Sequence, residues 1–472
     1  MFTPDTRRFP VRFDIEPDGE YQKRMRARFV SHAEKVLEAW GPSSPDVFQV
    51  GLETEYSVVT SNLNPVEQKI RDEATKDPNL KDFVTPELGS SQIEIATKPI
   101  DLRKHSGLKV LKELQSCERK LQQFLNIHGA HLLRVGTNPL ISPSDMRRTD
   151  NKEKYQRCPD FHNQHQRLGM ERYIGRSVPI DVGNAMGPSV TNSVQVNMDC
   201  HTIEEGIDFL NGSLAVAPIV TALGSNAGFL NVQDSGYADV RYMTWAISHD
   251  IRTWEEVFVG TDVRVGLPSR YYLDMNDYLS SVLSHPFFME SNDEEIAFNM
   301  GVGTYWRDAR LKFIEKEDKS IQLVVEFRPL STQPSAQEDF ALIMFYVGLV
   351  LYGQQRRERL LPMIYVRANK ELAMRFGLAA NFWVVDEARM SGVNVVRGFD
   401  LIPGEICRSI LGLESMGLDK PSLKVIHELL TERLKIGTPM HRFRGAVYQE
   451  MELGATMRQA LSEAIYNGKL IL

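Results

Sequence analysis

The sequence has few cysteines and no long apolar segment, and both absences narrow the class of protein. Cys117, Cys158, Cys200 and Cys407 are spread over 472 residues without a CxxC pair, which favours reduced thiols over a disulfide framework. The longest apolar run, residues 340–352, has 13 residues, so it is too short to cross a bilayer and predicts a buried helix. The first residues contain no apolar stretch of signal-peptide type. We therefore expect a cytoplasmic protein without a membrane partner.

Positive charge is not in excess either. The net charge is −7 and the isoelectric point is about 6.0, which argues against a nucleic-acid partner bound through a broad basic surface. A local basic stretch, residues 146–176, is the best candidate for phosphate binding.

The length and a break near residue 45 predict an N-terminal arm and helix over 1–45, then a catalytic domain over 46–472 with a helical C-terminal part. The sequence leaves the oligomeric state open.

Common nucleotide and nucleophile motifs are missing. There is no GxxxxGK[ST] segment, and the Gly-Val-Gly at 301–303 lacks a third glycine, so it is interpreted as a turn. There is no G-x-S-x-G elbow. Cys158, His162 and His165 superficially resemble a zinc site, but a fourth ligand at a fitting distance is lacking, and we interpret them as structural. If ATP binds, metal ions and arginines must hold it.

Four short segments alternate polar and apolar residues with the period of a strand: 51–59, 90–98, 191–199 and 323–331. Within them, the pairs that share one face are Glu53 and Glu55, Gln92 and Glu94, Gln195 and Asn197, and Glu326 and Arg328. A sheet face lined with carboxylates repels itself unless cations lie on it. Oxygen-rich sites suit Mg²⁺, which usually arrives with phosphates. The pattern favours an ATP–Mg²⁺ enzyme built on an open antiparallel sheet.

Each polar pair also has an ordinary interpretation. Taken alone, it fits the solvent face of a strand, a polar ladder or a cross-strand ion pair, and only the recurrence on four strands favours a shared site.

Long segments separate the strands, which predicts an α+β fold with a mainly antiparallel curved sheet flanked by helices. Apolar spacing predicts helices over 105–126, over 202–212 with a second helix ending at 223, and over 339–355, whereas 142–188 is predicted to be a long loop.

Six segments, taken in order, resemble the glutamate–cysteine ligase superfamily. They are GLETE at 51–55, Glu87 with Glu94 followed by IATKP at 95–99, SVQVNMD at 193–199, PIVTALGSNAGF at 218–229, DSGYADVR at 234–241 and VEFR at 325–328. The resemblance covers residues 51–353. Where relatives carry N-S-P-F, this chain has NAGF at 226–229, close to where relatives bind substrates. The amine that this chain uses is therefore left open.

The resemblance implies an ATP-dependent carboxylate–amine ligase with a glutamine-synthetase-like sheet. It implies that Mg²⁺ is held by acidic residues and one amide: Glu53, Glu55, Glu87, Glu94, Gln195 and Glu326. Arg328, Gln195 and Asn197 are expected to contact ATP, with Arg328 on the transferring phosphoryl group. Arg241 is expected to bind a substrate carboxylate or phosphate, because guanidinium groups match both geometries. The expected partners are small molecules: a carboxylate, which the family implies is glutamate, and cysteine or another small amine.

Two alternatives share these residues. A phosphotransferase of the guanidino-kinase type would use the same sheet chemistry but stop at a phosphorylated product. A degenerate ligase retained as a binding subunit would keep the fold without turnover. Release of free phosphate that requires both acid and amine distinguishes a ligase from a kinase, and Mg²⁺-dependent ATP turnover distinguishes an enzyme from a binding subunit.

Overall fold

The computed structural model describes residues 19–41, 44, 46–165, 173–174, 180–181, 185–386 and 392–472. Fifteen helices are described: α1 Glu20–Glu38, α2 Gln68–Ala74, α3 Leu108–Ile127, α4 Glu153–His165, α5 Ile203–Leu223, α6 Arg241–Ser248, α7 Trp254–Phe258, α8 Met275–Leu283, α9 Glu294–Gly303, α10 Ala336–Arg356, α11 Met363–Phe376, α12 Gly398–Met416, α13 Lys420–Ile436, α14 Pro439–Glu452 and α15 Met457–Asn467. The described strands are β1 Gln49–Thr60, β2 Val84–Pro86, β3 Gln92–Ala96, β4 Ile100–Asp101, β5 Ala130–Leu133, β6 Tyr173–Ile174, β7 Ile180–Asp181, β8 Ser193–Asp199, β9 Phe229–Leu230, β10 Gln233–Asp234, β11 Ala309–Glu315, β12 Ile321–Ser331, β13 Asn381–Val385 and β14 Val393–Arg397.

One eight-stranded antiparallel sheet organises the fold. Its main order is β11-β12-β8-β1-β3-β2, and β4 and β5 also pair with β1. The sheet curls into a half-barrel flanked by helices, so the predicted α+β class with a mainly antiparallel curved sheet is confirmed. Three further two-stranded hairpins are described, β6–β7, β9–β10 and β13–β14.

The apolar face of the sheet packs on buried helices. Val194, Val196 and Val325 alternate with polar residues along β8 and β12 and are almost fully buried. Phe327 stacks on Tyr346 of α10, with ring centroids 3.8 Å apart. This face therefore supplies the hydrophobic driving force, and the polar side chains are directed to the opposite face.

Helix α5 corrects the prediction of two helices that meet near Gly212. It runs unbroken from Ile203 to Leu223 and even contains Pro218, with its first turn capped by the Thr202 side chain, which accepts from the backbone N–H of Glu205. Packing against β12 and α10 stabilises the helix across positions that locally disfavour it. By length and composition α5 is apolar enough to cross a membrane, but 72% of its most apolar window is buried inside the protein.

Two other local predictions were wrong. The predicted loop 142–188 contains α4, whose Pro159 and Phe161 are buried against the rest of the protein. The Gly-Val-Gly at 301–303 ends helix α9 and is not a separate turn. In the C-terminal third, which was predicted to be helical, Pro403 lies inside α12, and the β13–β14 hairpin was not predicted.

The N-terminal helix packs closely on the catalytic part of the chain. Phe29 of α1 contacts Phe298 of α9, with ring centroids 5.1 Å apart, and Lys35 pairs with Glu294 at 2.7 Å. The predicted arm before this helix lies outside the described residues. The division of the chain at residue 45 stays a prediction.

Candidate active site

The register of the sheet places the polar residues of different strands opposite one another. Three directly opposed pairs result: Glu55 and Glu94, Glu53 and Gln195, and Glu326 and Asn197. Glu87 follows the short strand β2 immediately. Because opposed side chains on neighbouring strands point to the same face, acidic residues that lie far apart in sequence meet on one surface.

Glu55, Glu87 and Glu94, hereafter the acidic trio, each have a carboxylate oxygen within 4.8 Å of the other two. No basic residue in the described ranges forms an ion pair with any of them. Burial, followed by the charge of Glu87, raises the pKa of Glu55 to about 7. Burial and the neighbouring carboxylates raise the pKa of Glu94 well above its usual range, and burial raises the pKa of Glu87. Such a cluster strongly favours a bound cation.

Hydrogen bonds fix the orientation of the trio. The backbone N–H of Ser193 donates to Glu55 at 2.8 Å. The Gln195 side-chain amide donates to Glu55 at 3.1 Å and to Glu94 at 3.4 Å. The Tyr155 hydroxyl, from α4, donates to Glu87 at 3.4 Å. The carboxylates are therefore held by neutral donors, which orient them without cancelling their charge.

Positive side chains gather on the neighbouring strands β11 and β12. Arg310, Lys312 and Arg328, hereafter the cationic row, all contact the fully buried Glu326. Lys312 lies 2.8 Å from Glu326 and 2.6 Å from Glu53, and Arg328 lies 2.7 Å from Glu326. Burial alone would raise the pKa of Glu326, but the three cations, Arg310 first, hold it well below the usual range.

Arg310 and Lys312 were missed in the sequence analysis. They alternate with Ala309, Leu311 and Phe313 along β11, so the period-2 pattern that revealed the other strands was present here too. Arg310 also donates to the Val302 carbonyl at 3.2 Å, at the C-terminal end of α9. The Gly-Val-Gly segment therefore helps to position a site cation.

The polar surface opens into a cavity of about 540 Å³. Of the residues predicted to form the site, those that line the cavity are Glu53, Glu55, Glu87, Glu94, Gln195 and Arg328. The lining also includes apolar and aromatic residues, Trp245, Phe288, Met289 and Trp306. These residues were not predicted, because they lie outside the segments that resemble the family.

Three predicted site residues lie behind this lining. Glu326 is buried beneath the cationic row, and Asn197 donates to Glu53 at 3.0 Å. Arg241 donates to the backbone carbonyl of Arg328 at 2.7 Å, and its Nε has no partner among the described residues. Burial lowers the pKa of Arg241. The predicted roles of all these residues stay predictions.

The basic stretch 146–176 contributes one wall of the cavity through α4. Lys154, Tyr155, Cys158 and Pro159 line it. Burial raises the pKa of the Cys158 thiol to about 12. Burial also lowers the pKa of His249, which lies next to α4, to about 3. The part of this stretch at 166–172 and 175–176 lies outside the described residues.

The protein therefore combines a curled antiparallel sheet of the glutamine-synthetase-like fold class with carboxylates and guanidinium groups around one cavity. The family model for glutamate-cysteine ligase family 2 matches residues 49–397, and the chain belongs to this family. The corresponding activity class is that of an ATP-dependent amide-bond ligase. A search of curated protein sequences finds no significant match.

Solved structures are similar in fold at low sequence identity. The glutamate–cysteine ligase of Francisella tularensis in complex with AMP matches with a TM-score of 0.57 and 12% identity, over 91% of this chain and 89% of that chain. A bifunctional glutathione synthetase from Pasteurella multocida matches with a TM-score of 0.48 and 11% identity, over 94% of this chain and 54% of that chain. The first likeness supports the fold.

Proposed function

We propose that this protein uses ATP to activate a carboxylate, the γ-carboxylate of glutamate, and joins it to cysteine or another small amine. The carboxylate attacks the γ-phosphorus of ATP, which gives an acyl phosphate and ADP. The amine then attacks the acyl carbon, phosphate leaves, and an amide forms. The observation that carries the proposal is the acidic trio, with Glu55 buried and Glu87 and Glu94 half-buried, which forms no ion pair with a described basic residue and lies beside a cationic row in one cavity.

The donor set fits Mg²⁺. The trio presents hard carboxylate oxygens, its charge is not cancelled by described basic residues, and the Gln195 amide adjoins it. We propose Glu55, Glu87, Glu94 and Gln195 as the principal metal-binding residues. Glu53 and Glu326 belong to the same proposal with weaker support, because the cationic row already neutralises them. When bound, the ion neutralises charge on the β- and γ-phosphate oxygens.

The chain's own cations supply the second part of the proposal. Arg328 is fixed between Glu326, at 2.7 Å, and the Gln195 side-chain oxygen, so its guanidinium is oriented before any substrate arrives. We assign it to the phosphoryl group in transfer, where a preorganised cation stabilises developing negative charge without reorganisation. Arg241 contacts the backbone of Arg328, and its Nε has no hydrogen-bond partner among the described residues. We assign it to a substrate carboxylate or phosphate.

The apolar wall supports the choice of a ligase. An acyl phosphate is hydrolysed if water reaches it before the amine does. Trp245, Trp306 and Phe288 line the same cavity as the carboxylates, and their apolar surface disfavours water there. Small-molecule substrates suit a cavity of about 540 Å³. Cytoplasmic location remains part of the proposal, supported by four free thiols.

The deciding experiment incubates the full chain with ATP, Mg²⁺, glutamate and a panel of amines, and measures ADP, phosphate and products by mass spectrometry. We expect ADP and phosphate in equal amounts, together with one amide, and only when acid and amine are both present. ADP without phosphate, accompanied by a phosphorylated product, would identify the guanidino-kinase alternative. Absence of turnover with every amine, by a chain that still binds ATP, would support the binding-subunit alternative.

A further inference from the structure

A second cluster of potential ligands lies in the wall of the same cavity. Cys158, His162 and His249 each offer a ligating atom within 4.8 Å of the other two. The Cys158 sulfur lies 3.5 Å from Nδ1 of His162, and the two imidazole ring centroids are 4.5 Å apart. Cys158 and His162 are four residues apart on α4, so they share one face of the helix, and His249 directly follows α6.

This cluster differs from the one that the sequence suggested. The short motif pairs Cys158 and His162 with His165, but the His165 ring packs on Phe161, with ring centroids 4.6 Å apart. His249, which lies more than eighty residues away in sequence, takes the third place. His249 could not be included from the sequence, because only the fold brings it close to α4.

The orientation of the two imidazoles leaves ring nitrogens available. Nδ1 of His162 lies 2.8 Å from the Cys158 carbonyl, and because a carbonyl only accepts, this nitrogen carries the proton. Nε2 of His162 therefore has a lone pair, and this fully buried atom has no hydrogen-bond partner among the described residues. In His249 it is also Nδ1 that is engaged, 2.8 Å from the Ser248 hydroxyl. A histidine that ligates a metal commonly donates its other N–H in this way.

We propose that Cys158, His162 and His249 form a site for a zinc ion, distinct from the carboxylate site. One thiolate and two imidazoles suit a borderline-soft divalent ion, whereas Mg²⁺ prefers the oxygens of the acidic trio. Zinc bonds of about 2.0–2.3 Å place tetrahedral ligand atoms about 3.5 Å apart. The ligating atoms of the cluster lie within 4.8 Å of one another, so they must move closer when the ion binds. Cys158 and His249 line the cavity, so a fourth coordination position faces it and takes water or a donor atom of a cavity ligand.

Metal binding by the full chain tests this site directly. In a Cys407→Ser background, which removes the exposed thiol, the protein is stripped with a chelator, loaded with Zn²⁺ in excess Mg²⁺ and desalted. We expect one zinc per chain by elemental analysis, and a cobalt-substituted protein with a thiolate-to-cobalt charge-transfer band. Absence of either result overturns the proposal, and neither readout depends on catalytic activity.

Matched variants assign the ligands. Cys158→Ser should abolish the cobalt charge-transfer band, and His249→Gln should weaken zinc binding by at least about tenfold. His165→Gln and Glu94→Gln should retain zinc, the first as a control for the sequence motif and the second as a control for the acidic trio. Loss of zinc in Glu94→Gln, or in His165→Gln but not in His249→Gln, would overturn the assignment. Circular dichroism and thermal melting confirm that each variant is folded.

Discussion

The acidic trio and the Glu326 carboxylate, which contacts the cationic row, belong to the same sheet, but their surroundings compensate the negative charge differently. Glu326 is buried among three cations, whereas Glu55 is buried, and Glu87 and Glu94 are half-buried, with hydrogen-bond donors but without ion pairs among the described residues. The protein itself neutralises Glu326 and leaves the charge of the acidic trio unpaired. The contrast separates a glutamate that orients the cationic row from three glutamates that we propose bind a metal ion.

Of these substitutions, Glu326→Gln should reduce stability and activity most, because it removes the carboxylate that all three cations of the cationic row contact. Breaking a buried ion pair on one side typically costs about 3–5 kcal/mol, since charges are left buried and unpaired. We expect a loss of stability of that order in urea unfolding, together with a loss of activity. Glu315→Gln, an exposed change on β11, is the matched control. Unchanged stability and near-normal ADP release would contradict the central position of Glu326.

Glu94→Gln should reduce activity without reducing the stability of the metal-free protein. It removes a half-buried carboxylate whose pKa is raised, so the metal-free protein should melt at the same or a higher temperature. Loss of a proposed metal ligand should reduce the rate of ADP formation by roughly 10²- to 10³-fold. Thermal melting in chelator and initial rates in Mg²⁺ measure the two effects. A variant that is destabilised but fully active would remove Glu94 from the proposed metal site.

The stability of the metal-free protein should depend on pH through Glu55. Its folded pKa of about 7 lies above the ordinary value of 4.5, so the folded state binds this proton more tightly than the unfolded state. Its stabilising contribution is complete below about pH 4.5 and is lost as the pH rises through 7, by at most about 3–4 kcal/mol. Melting temperatures in chelator should therefore fall across this window relative to Glu55→Gln. Mg²⁺ should raise them more at high pH than at low pH.

Lys312→Met should have the smallest effect of these substitutions, and we expect to see it in the affinity for metal ions. It removes the ammonium that lies between Glu53 and Glu326, and so leaves more negative charge available to an added ion. We expect the affinity for Mn²⁺, used as a spectroscopic substitute for Mg²⁺, to rise by about fivefold, or about 1 kcal/mol. Lys319→Met, at an exposed ion pair on the loop after β11, is the control. Weaker Mn²⁺ binding would indicate that Lys312 supports the metal site instead of competing with it.

The strand pattern was sufficient to predict the face that carries Glu53, Glu55, Glu94 and Gln195, because side-chain alternation is a local property of the backbone. It could not predict the register, which depends on pairing between distant segments. The opposition of Glu55 to Glu94 is therefore a finding of the structure, as is the separation of Glu326 from the acidic trio.

Tertiary packing explains the elements that were predicted wrongly. Helix α4 has low hydrophobicity and contains Pro159, which locally favours a loop, but the burial of Phe161 and His162 supplies stability that no local pattern reveals. Helix α5 continues through Gly212 for a similar reason. The third member of the Cys–His cluster, His249, lies beyond the reach of any short motif, since only the fold brings it to α4.

The order of strands in the sheet has a consequence for synthesis on the ribosome. Strand β12 pairs with β8, and β11 pairs with β12, so the half of the sheet that carries most of the positive charge is completed only at Ser331. The segments that carry the acidic trio leave the ribosome long before that point and must wait for partners that are distant in sequence. Such non-local pairing slows folding. A nascent or truncated chain that ends before β11 would display Glu53 without its partner Lys312, and chaperones or proteases could distinguish it from the finished protein.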